Sequence, residues 1–225
     1  DGGAIFRRAD TGEAKRIDYL VIDGGKKMTG AVGVLLSRRS DNAPLFVMSS
    51  HLKSGSSNEH ERLAEIEAAG LLRRGGDGSA ADSQTSIRAW FANSVCKGPT
   101  LFCLDANSAP GRREELTVWK ALRGVPGSKS VWDAWWSADG VPLQHETPVT
   151  TNKMRGPLTE QPSKMGEHAC EAIDHIYFGG GLGAPQHAWG PVVFGGARRA
   201  YDELLPSLAV PSDHYPVVVD LDLDE

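Results

Sequence analysis

The chain has 225 residues, 40% of them hydrophobic and 24% charged, with a formal net charge of −5 at pH 7. That balance suffices for a sizeable core and excludes a disordered tail or a fibrous repeat, and no uninterrupted apolar run approaches the ~18–20 residues of a membrane helix. Residues 1–113 carry 16 Lys/Arg against 13 Asp/Glu, and residues 114–225 carry 8 against 16. The split of +3 and −8 argues against a broad basic surface for duplex nucleic acid, while leaving room for a local cationic pocket beside an acidic centre.

The start, DGGAIFRRADTGEAKR, has no apolar signal-peptide core. The 26 Gly and 13 Pro point to many turns between short elements and against a helix bundle. Cys96, Cys103 and Cys170 are too few and too scattered for a disulfide framework or a CxxC metal site, which favours a reducing, intracellular compartment, cytoplasmic or organellar.

Taken in chain order, Ala4–Arg8, Ile17–Ile22, Ala31–Ser37 and Leu45–Ser50 are short apolar stretches separated by turn chemistry, the pattern of antiparallel strands. A helix is predicted from Asn58 as cap, with Glu61 at the capping-box position and Leu63, Ile66, Leu71 and Leu72 on its apolar face, ending at Arg73-Arg74-Gly75-Gly76. GGDGSAADSQ reads as a surface loop. Ile87, Trp90, Phe91 and Val95 then mark a second helix by their spacing.

TLFCL reads as a buried strand and Glu114–Arg123 as a short helix, an alternation that belongs to α/β architectures. Ser137 to Ala172 has little periodicity beyond a short strand around Val149–Arg155. Strands return at Ala172–Phe178, around Val192–Phe194 and at Tyr215–Leu223. No repeat or linker divides the chain, so residues 1–225 are expected to form one unit.

The chemistry sits just past the apolar runs. LFVMSS is followed by His51, TLFCL by Asp105-Ala106-Asn107, Asp174 lies in a strand, and Ser212-Asp213-His214 precede the last strand. Strand ends hold polar groups at a ligand site without burying them unsatisfied. With no outstanding Ser or Cys nucleophile, two His, three Asp and one Asn suit hydrolysis by an activated water. Carboxylates hold Mg²⁺, the cation and neutral donors stabilise phosphoryl charge, and a histidine near neutral pKa takes the water proton. His168, Cys170 and His175 form an H-x-C-x4-H cluster, a weaker zinc candidate for want of a defined fourth ligand. Trp132, Trp135 and Trp136 are candidates for base stacking, with core packing favoured.

HLKSG at 51–55, LDANSAP at 104–110, TTNKMRG at 150–156, IDHIYF at 173–178 and PSDHYPV at 211–217 resemble, in order, the motifs of the endonuclease/exonuclease/phosphatase superfamily, most nearly its nocturnin and carbon-catabolite-repressor deadenylase branch. The resemblance implies a two-sheet α/β sandwich of mixed, mostly antiparallel strands with helices on the outer faces. It implies a Mg²⁺-dependent phosphodiester hydrolase, Mn²⁺ being the alternative ion, with single-stranded RNA or a nucleotide as substrate and no membrane partner. His51 would contact the scissile phosphate, Asp105 and Asn107 would orient the water near the metal, and His214 would be the general base paired with Asp174. Asp213 would assist at the metal with Asp105 or position its neighbour, and Lys53 and Arg155 would meet substrate phosphates.

The chain departs from the pattern at three motif positions, in a Gly156–Glu171 stretch longer than its counterpart, and at its start. Leu104-Asp105-Ala106-Asn107 stands where the family has Gly-Asp-Phe-Asn, Asn152 replaces an aromatic residue after the Thr-Thr pair, and Gly55 replaces a basic residue. The family's main metal-ligating Glu ends a strand that precedes a DGGAIF-type segment, so this resemblance places it upstream of Asp1 in a longer polypeptide whose first strands are absent here. A 3′ to 5′ exoribonuclease of the deadenylase type is the expected activity. A nucleotide phosphatase acting on NADPH-type substrates is the alternative within the same chemistry, and an inactive binding or structural module the alternative of another class.

Overall fold

The structure, a computed structural model, describes residues 5–23, 28–55, 59–75, 83–145, 147–156, 165–185, 187–188, 204–208 and 210–222. Three long strands open it: β1 (Gly12–Asp23), β2 (Met28–Arg38) and β3 (Pro44–His51). They pair antiparallel in succession. After α1 (Glu59–Glu67), β4 (Gly70–Gly75) and β5 (Ser83–Thr85) extend the sheet outward from β1. After α2 (Ile87–Val95), β6 (Thr100–Asp105) returns parallel to β3.

Helix α3 (Val118–Arg123), β7 (Lys129–Ser130), β8 (Thr151–Met154), β9 (His168–Glu171) and β10 (Asp174–Gly179) follow. The last elements are β11 (His187–Ala188) and β12 (Val219–Asp220). The eight-stranded sheet runs β5-β4-β1-β2-β3-β6-β10-β7, and β8-β9 and β11-β12 form two-stranded sheets. This is the expected mixed, mostly antiparallel α/β architecture.

Strand alternation decides which side chains meet helices and which meet the site. On β3 and β6, Phe46, Met48, Phe102 and Leu104 are buried in a core shared with Ile66, Phe91, Trp119 and Leu122 from the three helices. Each such side chain contributes about 1.5–3 kcal/mol on burial. The alternate residues, including His51 and Asp105, point to the opposite face of the same strands.

Several sequence expectations are corrected. Residues 5–8 form no strand. The first helix stops at Glu67, and the stretch read as its C-terminal turn is β4, with Leu72 opposite Leu20 and Leu71 opposite Val21. Its predicted cap, Asn58, and Gly76 lie outside the described residues. Gly70 breaks the helical run and is required where it stands: a Cβ there would lie 2.5 Å from the Val21 carbonyl oxygen. Helix α3 is shorter than its expected span because Thr117 caps it, its side chain accepting from the Lys120 N–H. Of the expected strand Tyr215–Leu223, only Val219 and Asp220 pair among the described residues, although Val217, Val219 and Leu221 do pack on the main core. The strand expected around Val192–Phe194 lies outside the described residues.

Candidate active site

Register builds the site. His51 pairs with Asp105 across the parallel strands β3 and β6, and Asp105 pairs with Asp174 across β6 and β10. Register partners share a face, so an imidazole and two carboxylates form a row across three adjacent strands at one end of the sheet. They line a cleft of about 370 Å³ together with Val217.

The fourth group comes from a loop. His214 Nδ1 lies 2.8 Å from Asp174 Oδ2, and as a carboxylate Asp174 only accepts, so Nδ1 carries the proton and Nε2 presents a lone pair. One oxygen or nitrogen from each of Asp105, Asp174 and His214 falls within 4.8 Å of the others. His51 Nε2 is 3.4 Å from Asp105 Oδ2. Asp105 Oδ1 accepts the Asn107 N–H at 3.0 Å, and the Asn107 side chain donates to the Leu52 carbonyl at 3.0 Å. Asn107 adopts φ of 49°, a left-handed conformation that Asn tolerates better than most residues.

Electrostatics follow from this crowding. Burial, then the charge of Asp174, raises the Asp105 carboxyl above the ordinary range, against the opposing effects of His51, His214 and the Asn107 N–H. The hydrogen bond to Asp174 raises His214, against burial. Two carboxylates and an imidazole that resist sharing a small space without a cation are a donor set suited to a divalent metal. Cys103, which also lines the cleft, is a half-buried thiol that burial pushes up to about 11, which favours the protonated form.

The remaining site residues are distributed around this row. The Asp213 carboxylate forms an ion pair with Lys153 of β8 and so turns away from the group formed by Asp105, Asp174 and His214. Partial burial, which raises Asp213, is outweighed by Lys153, so its carboxyl lies below the ordinary value. Lys53 follows His51 by two residues, its backbone N–H bonded to Glu65 Oε2 at 2.8 Å. Arg155 continues the β8 pairing by one residue through the Glu167 carbonyl. Period-two alternation places it on the same face as Lys153.

Two further groups support the His214–Asp174 pair in roles that the sequence does not indicate. Thr150, fully buried, accepts the Ile173 and Asp174 N–H groups at 2.9 and 3.1 Å through its hydroxyl. Its carbonyl accepts the Tyr215 N–H at 2.7 Å, and the Thr151 hydroxyl donates to the Asp213 carbonyl at 3.0 Å. Thr150 thus brackets both halves of the His214–Asp174 pair. Trp132 adds an indole N–H to the Asp174 carbonyl at 3.0 Å.

Beneath the row, Glu59 accepts Ser108 Oγ at 2.7 Å and the Val118 N–H at 2.8 Å, and pairs with the fully buried Arg62. Arg62 also donates to the Lys53 and Gly55 carbonyls. Breaking such a pair costs about 3–5 kcal/mol, because the surviving charge stays buried.

The zinc candidate dissolves on inspection of its members. His175 is buried with Nε2–H donated to the Ser108 carbonyl at 2.8 Å, its ring stacked on Tyr177, while His168 bonds Asn152 at 2.5 Å. Trp132 and Trp136 are buried, with Trp132 edge-on to both Trp135 and Trp136. They form packing and no stacking platform.

No family model and no curated protein sequence matches the chain. Solved structures do. The human nocturnin catalytic domain, with bound sulfate, superposes with a TM-score of 0.54 at 16% identity, covering 95% of this chain and 61% of that one. TDP2 from D. rerio, complexed with single-strand DNA product, gives 0.57 at 14%, covering 94% and 69%. An endonuclease/exonuclease/phosphatase family protein from Bacteroides thetaiotaomicron gives 0.52 at 12%, covering 97% and 68%. The chain has the fold of the endonuclease/exonuclease/phosphatase superfamily, and it spans about two thirds of the length of these relatives. Among the described residues, no helix is long and apolar enough to cross a membrane.

Proposed function

We propose that the protein is a divalent-metal-dependent phosphodiester hydrolase that removes nucleotides from the 3′ end of single-stranded RNA. The observation that carries this reading is the His214–Asp174 hydrogen bond beside the facing carboxylates of Asp105 and Asp174. Asp105 and Asp174 would hold Mg²⁺, or Mn²⁺. When bound, the cation supplies Lewis-acid stabilisation of the phosphoryl oxygens.

His214 takes the proton of the attacking water at Nε2, and Asp174 fixes the tautomer and stabilises the imidazolium that forms. His51 and Asn107 donate to the phosphoryl oxygens, where donors held in advance are most effective. The Asn107 amide is oriented by its bond to Leu52. Asp213 steadies the loop of His214 through Lys153, and Lys53 and Arg155 receive the phosphates that flank the scissile one. Two such cations suit a chain end, whereas a duplex groove needs many. The resemblance to nocturnin supports the same choice.

The test is Mg²⁺-dependent release of mononucleotides from poly(A) by the whole polypeptide, run beside release of inorganic phosphate from NADPH. Mononucleotides are the expected product. Phosphate release from NADPH alone would replace the nuclease with a nucleotide phosphatase, and neither product would leave a binding or structural module.

A further inference from the structure

Helix α1 turns three residues inward, Glu59, Arg62 and Ile66, with 3%, 0% and 0% exposure. Their spacing of three and four residues is that of one helix face. Ile66 joins the main core. The other two form an ion pair, with Arg62 Nη2 2.8 Å from Glu59 Oε2. Apolar side chains at these two positions would hold the helix on the sheet about as well, because a buried pair loses in desolvation what it gains in attraction. What apolar side chains could not supply is the set of bonds that the pair makes to its surroundings.

Those bonds run to the two turns that carry site residues. Glu59 Oε1 accepts the hydroxyl of Ser108, the residue after Asn107, at 2.7 Å, and the Val118 N–H of α3 at 2.8 Å. Arg62 Nη1 donates to the Lys53 and Gly55 carbonyls at 3.1 and 2.6 Å. One turn further along the helix, Glu65 Oε2 accepts the Lys53 N–H at 2.8 Å, while Oε1 accepts the Thr29 hydroxyl at 2.7 Å. Side chains of one helix thus grip the Lys53 backbone at both its N–H and its carbonyl. The two turns also meet at Leu52, whose N–H donates to the Asp105 carbonyl and whose carbonyl accepts the Asn107 amide.

We propose, resting on the hydrolase reading above, that Glu59, Arg62 and Glu65 are positioning residues for that reaction. Through Ser108, α1 sets the turn of the Asn107 donor. Through the Lys53 backbone, it sets the cation that receives a flanking phosphate. The two links are separate and have different kinetic signatures. A donor that meets charge developing in the transition state shows in kcat, whereas a cation that holds a flanking phosphate throughout shows in KM.

Removing Arg62 would strand Glu59 as an unpaired buried charge and unfold the region, so the test uses variants that cut one link and leave the pair intact. In steady-state kinetics of Mg²⁺-dependent mononucleotide release from poly(A), Ser108→Ala is expected to lower kcat about tenfold or more with KM nearly unchanged. Glu65→Leu is expected to raise KM about fivefold or more with kcat nearly unchanged. Glu65→Gln, whose amide oxygen still accepts the Lys53 N–H, is expected to restore KM. Melting temperatures are measured alongside. Normal kinetics in both variants, the same change of kcat and KM in both, or rate losses that only track the loss of melting temperature would overturn the positioning role and leave the hydrolase reading standing. A wild type that releases no mononucleotide would overturn that reading and this inference with it.

Discussion

Asp105 and Asp174 face each other across β6 and β10, two carboxylates at one level of one sheet. Their charges, with ligand atoms within 4.8 Å, repel by on the order of 3 kcal/mol at an intermediate dielectric. The arrangement therefore costs stability when no cation is bound. Asp105→Asn keeps an acceptor for the Asn107 N–H and removes one charge. It is expected to raise the melting temperature of the metal-free protein and to abolish the stabilisation that added Mn²⁺ gives. A lower melting temperature with an intact Mn²⁺ response would show that the pair is not a metal site.

Thr150 should act through the residues it brackets. Thr150→Val leaves two buried N–H groups without their acceptor, at a cost of about 1–3 kcal/mol each. For the proposed hydrolysis, kcat should fall by roughly 10- to 100-fold from a misplaced Asp174 with KM nearly unchanged, and Thr150→Ser should restore it. A valine variant with normal kcat, or one that raises KM alone, would remove the positioning role.

The sequence-to-site relation is plainest where chemistry and register coincide. His51, Asp105 and Asp174 were legible because each ends or begins an apolar run, and strand ends at one edge of a sheet converge. Thr150 and Glu59 were not. A Thr in a polar stretch and a Glu at a helix start look solvated, and only tertiary packing reveals that their oxygens accept buried N–H groups from segments distant in sequence. β4 was misread for a related reason: Leu71 and Leu72 satisfy a helical spacing, and pairing with β1 overrides it. Asp213 had two expected roles, at the metal or positioning its neighbour; its carboxylate goes to Lys153 while His214 meets Asp174, an arrangement that suits the second.

His175 gives the fold an acid sensitivity independent of catalysis. Full burial lowers its pKa to about 4, whereas an unfolded chain's histidine titrates near 6.5. Between those values the unfolded state binds a proton that the folded state refuses, so stability is fully present above pH 6.5 and declines toward pH 4 by up to about 3 kcal/mol. His175→Phe should flatten that decline in chemical denaturation at pH 7, 5.5 and 4.5. An unchanged slope would place the sensitivity elsewhere.

On the proposed function, His214, held by Asp174, activates the water at a metal-loaded phosphodiesterase centre. Mg²⁺-dependent release of mononucleotides from poly(A), compared between wild type and His214→Ala, measures that role. Loss of the base should lower kcat by 10²–10⁴-fold, with the variant still folded and still stabilised by Mn²⁺. A His214→Ala enzyme that keeps most of the wild-type rate would contradict the mechanism.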